Sequence, residues 1–112
     1  MTDTNHIGAI VRILESPTNK IIKGNISVTT FRAEVPQVRQ TRVVDIVVWG
    51  NLANDVAKYY NTSDYILVEG YLSLRKNSSS KANRKILKRA RLTIFKAYPF
   101  LLQKNKLNTR VS

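Results

Sequence analysis

Apolar and polar residues alternate with period two over most of the chain, a spacing that predicts strands. In residues 7–14, Ile7, Ala9, Val11 and Ile13 share one side, and Ser16-Pro17-Thr18-Asn19 ends the run. Lys23-Gly24-Asn25 is a turn signal; the β-branched stretch ISVTTFRAEV follows it and stops at Pro36. Residues 42–49 predict a third strand, with Val44, Ile46 and Val48 on one face and Val43, Asp45, Val47 and Trp49 on the other. Residues 65–75 predict a fourth. There Ile66, Val68, Leu72 and Leu74 oppose Tyr65, Glu69, Tyr71, Ser73 and Arg75. A fifth runs from about Ile86 to Phe95 or slightly beyond, with Leu92 and Ile94 inward and Arg89, Arg91 and Phe95 outward, until Pro99 ends it.

One segment changes period. In residues 51–60, Leu52, Val56 and Tyr59 recur at i, i+4 and i+7, and Asn51 can cap the start, which predicts a short helix. The order β-β-β-α-β-β leaves no room for parallel crossovers. It predicts an all-β fold: a five-stranded antiparallel barrel of oligonucleotide-binding (OB) type, its helix between the third and fourth strands. An irregular β-sandwich is the alternative, though that fold ordinarily has seven strands and no helix. Residues 76–85 have no apolar pattern and three consecutive serines, so they predict a flexible loop. The domain reads as residues 1–102, and residues 103–112 as a flexible basic tail.

Composition changes the picture in one respect. The 112 residues hold 19 Lys and Arg against 7 Asp and Glu, a net charge of +12. Residues 1–70 hold seven of each sign and sum to zero; residues 71–112 hold the other 12 cations and no acid. Eight fall between Arg75 and Arg91: Arg75, Lys76, Lys81, Arg84, Lys85, Lys88, Arg89 and Arg91. They predict a hairpin with a cationic tip. A surface kept basic only for solubility mixes signs, and this one does not. A run of Lys and Arg with no acids points to a polyanion, nucleic acid before an anionic membrane. No basic amphipathic helix and no apolar run of membrane length is present, so no membrane partner is expected.

Aromatics accompany the charge. Trp49 lies opposite the Val44/Ile46/Val48 face and Tyr71 opposite the Leu72/Leu74 face, where each can stack on an unpaired base. Trp49 also reads as an anchor in a core or an oligomer interface, because Val43 and Val47 share its face. Phe31 reads as core and His6 as an ordinary surface residue. Catalysis has little to work with. There is no Cys, His6 is the only histidine, and Asp45 with Glu69 is a weak carboxylate pair. No metal or cofactor is expected, and the protein reads as a binder rather than an enzyme.

The run VVDIVVWGNLANDVAKYYNTSDYILVEGYLSLRK, residues 43–76, resembles the centre of bacterial-type single-stranded DNA-binding proteins. The matching elements are Trp49-Gly50-Asn51-Leu52-Ala53, then Tyr59 or Tyr60, then Val68-Glu69-Gly70, Leu72, Arg75 and Lys76. Primosomal replication protein N and small plastid-encoded homologues have nearly the same pattern. The resemblance implies that Trp49 occupies the main base-stacking position and that Arg75 and Lys76 contact the DNA backbone. It also implies a homotetramer or homodimer. Two further tryptophan positions of the family are Val43 and Asn77 here, its first-strand glycine is Val11, and the chain ends Arg110-Val111-Ser112 without the family's acidic tip. Recruitment of replication proteins through such a tip is therefore not expected.

The expectation is sequence-independent binding of single-stranded DNA in replication, recombination or repair. Trp49 and Tyr71 would stack bases while Arg75, Lys76, Lys81, Arg84, Lys85, Lys88, Arg89 and Arg91 follow phosphates. Two alternatives stay open: a primosomal or other accessory scaffold using the barrel for protein contacts, and an RNA-binding OB protein. The expected setting is the bacterial cytoplasm and its nucleoid, or a plastid.

Overall fold

Short β-branched runs broken by turn residues bury themselves only by pairing with one another, and closing the sheet on itself removes the exposed edges. The computed structural model describes residues 5–36, 42–76 and 88–103. Its elements are β1 (Asn5–Ile13), β2 (Thr18–Ile22), β3 (Ile26–Val35), β4 (Arg42–Trp49), α1 (Asn51–Tyr59), β5 (Tyr65–Lys76) and β6 (Lys88–Leu101). The strands follow the order β1-β5-β6-β4-β3-β2, and a β1–β3 pairing closes five of them into a barrel. The closing seam is short, Arg12 opposite Glu34 and Ile13 opposite Ala33. An Arg12–Glu34 ion pair of 3.2 Å fastens it.

The expected barrel is present, with two differences. One seam, β4 with β6, is parallel rather than antiparallel. The chain between them, α1 and β5, is long enough to return β6 beside β4 in the same direction. β2 was not anticipated. It pairs with β3 as a fully exposed hairpin arm, with Gly24 and Asn25 at positive φ in the turn. The Gly24-Asn25 turn was legible, but the arm before it has no buried face and so no alternation.

The core is the inward set of the strands: Val11, Ile13, Phe31, Ala33, Val44, Ile46, Val48, Ile66, Val68, Leu92 and Ile94, with Ala53 and Val56 from the helix. Leu74, expected inward, is 64% exposed because β5 outruns the barrel. Tyr59 is exposed as well, and the neighbouring Tyr60 packs on the core instead. Burial first, then the Asp64 and Asp55 carboxylates, push the Tyr60 phenol above its ordinary value. Asn51 does not cap the helix. Gly50 at φ 76 is the N-cap, its carbonyl accepting the Ala53 N–H at 3.0 Å. Thr29 and Ser27 tie the helix to β3: the Thr29 hydroxyl donates to the Ala53 carbonyl at 2.7 Å and that of Ser27 to Asn54 Oδ1 at 2.6 Å.

Pro99 does not end the last strand. β6 continues to Leu101, and Pro99 lies opposite Ile66 beside a register shift, beyond the stretch where β4 pairs on the other side. There a missing N–H breaks no ladder bond. The strand's end is held by Asp64, which is 1% exposed. Its carboxylate accepts the Asn61 N–H at 2.8 Å and the Gln103 N–H at 2.7 Å. Its backbone carbonyl accepts the Ile13 N–H at 2.9 Å. One residue thus joins the ends of β1 and β6 to the turn before β5. Gln103 belongs to this joint; residues 104–112 of the expected tail, residues 77–85 of the expected loop and residues 86–87 of the expected fifth strand lie outside the described residues.

β5 and β6 form the longest pairing, and Gly70 sets its geometry. A Cβ at Gly70 would strike the Thr93 carbonyl oxygen and lie 2.7 Å from Ile94 Cα, both backbone. The register skips there: Gly70 faces Ile94 and Glu69 faces Lys96, leaving Phe95 as the extra residue of a bulge. Gly70→Ala should destabilise the fold by about 1–3 kcal/mol and lower the thermal midpoint by roughly 5–15 °C. A midpoint equal to that of the parent chain in a calorimetric scan would refute this close approach. For Asp64→Asn, one of the two amide donors meets an NH₂ group instead of an acceptor. Urea unfolding should show a loss of about 1–3 kcal/mol with an unchanged slope.

Candidate nucleic-acid interface

The barrel wall has a core side and an outer side, and the register assigns residues to rows across the outer side. One row runs Thr30, Val47, Thr93, Tyr71 and His6 over β3, β4, β6, β5 and β1. The next runs Arg32, Asp45, Arg91 and Ser73. Beyond it, Arg75 faces Arg89 and Lys76 faces Lys88, where β5 and β6 meet the cationic segment between them. Aromatic positions therefore lie on the outer rows of the sheet, and the β5–β6 ladder carries like-charged register pairs at its far end.

Trp49 closes β4 at the barrel rim. The positive φ of Gly50 turns the chain sharply into α1, and the Gly50 N–H donates to the Ser27 carbonyl at 2.8 Å. The indole is 48% exposed, so it is not a core anchor. With Leu52, Tyr71, Thr93, Ile94 and Phe95 it lines an open slot of about 250 Å³. That is smaller than the about 300–1,000 Å³ of typical small-molecule sites and suits a single flat ring system.

Tyr71 is 45% exposed and Phe95 41%. Their ring centroids lie 5.2 Å apart at 43°. His6, expected as an ordinary surface residue, joins them: it stacks on Phe95 at 5.5 Å and 17° and tilts against Tyr71 at 5.8 Å. Its Nε2 lies 3.8 Å from Glu69 Oε1. A lone histidine near the start of a chain signals nothing; only the pairing of His6 with Tyr71 brings it to the aromatics. Phe95 was legible as outward-facing, but its proximity to Tyr71 depends on the bulge.

The charged residues separate into two groups. The Arg32 Nη2 lies 3.2 Å from Glu15 Oε1. Arg91 sits between Asp45 and Ser73 in register, and its Nε is buried without a hydrogen-bond partner. Arg75, Lys76, Lys88 and Arg89 hold positions at the strand ends. Lys81, Arg84 and Lys85 lie outside the described residues. Like charges directly opposite on paired strands repel, so the Arg75/Arg89 and Lys76/Lys88 register pairs are unfavourable by themselves. Asp45 and Glu69 do not make a carboxylate pair: Asp45 faces Arg91 on one side of β6 and Glu69 faces Lys96 on the other. Among the described residues no group of His, Cys, Asp and Glu could hold a metal ion, and no helix is long and apolar enough to cross a membrane.

The fold and the sequence both have close counterparts. The SSB domain of a Synechococcus sp. protein matches with a TM-score of 0.66 at 20% identity, covering 88% of this chain and 98% of that one. A small single-stranded DNA-binding protein from Streptomyces coelicolor matches with a TM-score of 0.74 at 16% identity, covering 89% and 97%. The second single-stranded DNA-binding protein of Mycobacterium smegmatis gives 0.67 at 18%, covering 92% and 99%. In sequence, the chain is 36% identical over 107 residues to the "Putative single-stranded DNA-binding protein ycf41" of Trieres chinensis, covering 92% of this chain and 95% of that protein. The single-strand binding protein family profile matches residues 4–94. With an OB barrel and a sequence match over most of its length, this chain belongs to the single-strand binding protein family.

Proposed function

We propose that the chain binds single-stranded DNA without sequence preference, acting in replication, recombination or repair by holding the strand rather than by chemistry on it. The observation that carries this is a set of exposed aromatics, Trp49, Tyr71 and Phe95, on the outer side of a sheet whose β5–β6 ladder ends in like-charged register pairs. Unpaired bases offer π-faces that Trp49 and Tyr71 can stack, and each stacked base contributes about 1–3 kcal/mol whatever its identity. Phosphates would be followed by Arg75, Lys76, Lys88, Arg89 and Arg91, with Lys81, Arg84 and Lys85 from the segment between the strands. Duplex DNA hides its π-faces, so an aromatic end on a binding face favours a single strand. The family and the matched relative are named for binding, and the chain is a non-catalytic member.

Self-association belongs to the same proposal. Leu67 pairs with Tyr98, and both are exposed together with Phe100 and Leu101 on the outer side of β5 and β6. Apolar surface of this kind supports a dimer or tetramer that presents several DNA faces at once.

If four to six phosphates are neutralised, the log affinity for oligothymidylate should fall with log salt at a slope of about −3 to −4. Fluorescence titration at several salt concentrations, with light scattering to give the mass of the complex, checks this. A slope near zero with unchanged Trp49 emission would exclude the model, and tighter binding to the matched RNA oligomer would redirect it to RNA. The two kinds of contact should also separate by mutation. Anisotropy of labelled DNA should show Trp49→Ala weakening binding about 5- to 150-fold at the parent salt slope. Charge reversal of Lys85 and Lys88 should flatten the slope by about 1 to 2 instead.

A further inference from the structure

We infer that Phe95, flanked by His6 and Tyr71, forms a second base-binding station on this face, separate from Trp49. The inference rests on the proposed binding of a single strand and assigns it two residues that neither the charge pattern nor the family resemblance singles out.

The geometry begins with the bulge. Strict alternation along β6 would leave either Phe95 or Lys96 pointing into the barrel. The extra residue lets both lie outward, with Ile94 and Ala97 still turned toward the core. Gly70 is what permits it, since any Cβ there would meet the bulged backbone. A glycine and a break in the ladder are destabilising features in a strand interior. Here they let Lys96 lie outward beside Phe95 while Ala97 returns to the core.

Three rings from three strands then converge within 5.2–5.8 Å of one another. Such mutual contact ordinarily hides aromatic surface, yet Tyr71 and Phe95 remain nearly half exposed and the His6 side chain is 56% exposed. The cluster therefore supports itself without being covered. His6 lies nearly parallel to Phe95, which holds the ring in one orientation and extends the flat surface toward β1. Phe95 and Tyr71 also line the slot shared with Trp49. A base in that slot leaves the outer side of the Phe95–His6 pair open for its neighbour. Trp49 and the Phe95 cluster thus suit two unpaired bases rather than one.

His6 is the only histidine in the chain, so its ring Cε1 proton is a unique NMR reporter. Titration with an oligothymidylate of roughly 8 nucleotides should shift that proton by ring current, and an abasic oligomer of equal length should leave it in place. Phe95→Ala should weaken oligothymidylate binding about 5- to 150-fold with the salt slope unchanged, and Phe95→Tyr should restore it. Phe95→Leu keeps apolar bulk at the bulge and removes the ring; it should weaken binding as Phe95→Ala does, even if the alanine variant folds poorly. A folded Phe95→Leu chain binding like the parent, or a His6 proton that moves equally with the abasic oligomer, would overturn the second station while leaving the first. Failure of the parent chain to bind oligothymidylate at all would instead overturn the reading on which it rests.

Discussion

The approach of the β6 backbone to Gly70 is the constraint on which the rest of this molecule turns. Because the Thr93 carbonyl and Ile94 Cα occupy the space of a side chain at Gly70, β6 can bulge at Phe95 without leaving the sheet. The same strand must pair with β5 along its whole length and with β4 over Ala90–Ile94. Its path therefore decides both where the barrel closes and which side chains reach the outer face. Leu92 and Ile94 enter the core on one side of the bulge, and Lys96 and Tyr98 face outward on the other. The register change separates a packed wall from an exposed aromatic surface.

Polar groups do the complementary work at the ends of the barrel. Asp64 gathers amides from the turn after α1 and from the end of β6, and Arg12 with Glu34 bridges the short β1–β3 seam. Both bind segments that share little apolar surface. A buried carboxylate bonded by backbone N–H groups is held because removing it leaves those donors unmet. The barrel is thus closed by hydrophobic burial in the middle and by a few well-partnered polar groups at its rims.

Much of this was legible in the sequence, and the exceptions have physical causes. Alternation located β3, β4 and β5 because each has one buried face, and the Leu52/Val56 spacing located α1. It failed for β2, which buries nothing, and for Leu74, where the period continues past the end of the barrel. Pro99 misled because a proline stops a central strand but not one whose far side is unpaired. Trp49 and Tyr71 were legible as outward aromatics, since a residue opposite an apolar face has few other places to go. His6 was not, because its role depends on which strand lies next to β1, and no local pattern encodes a neighbour. Asp64 was also silent: between a helix and a strand it reads like any turn residue.

The charge balance follows from the same placement. Several acids of the body are engaged: Glu15 with Arg32, Glu34 with Arg12, Glu69 near His6, and Asp64 with backbone amides. Asp45 lies between Arg32 and Arg91 in register. None of these is at the end of β5 and β6, where Arg75 faces Arg89 and Lys76 faces Lys88. Residues 71–112 contain no acid that could serve there instead. Arg75 and Lys76 thus hold register positions opposite like charges, and like charges directly opposite on paired strands oppose the pairing. Under the proposed function, a bound polyanion would relieve that repulsion and meet the aromatic positions of the same two strands. Binding should thus tighten the β5–β6 hairpin, coupling charge at one end of the face to ring placement at the other.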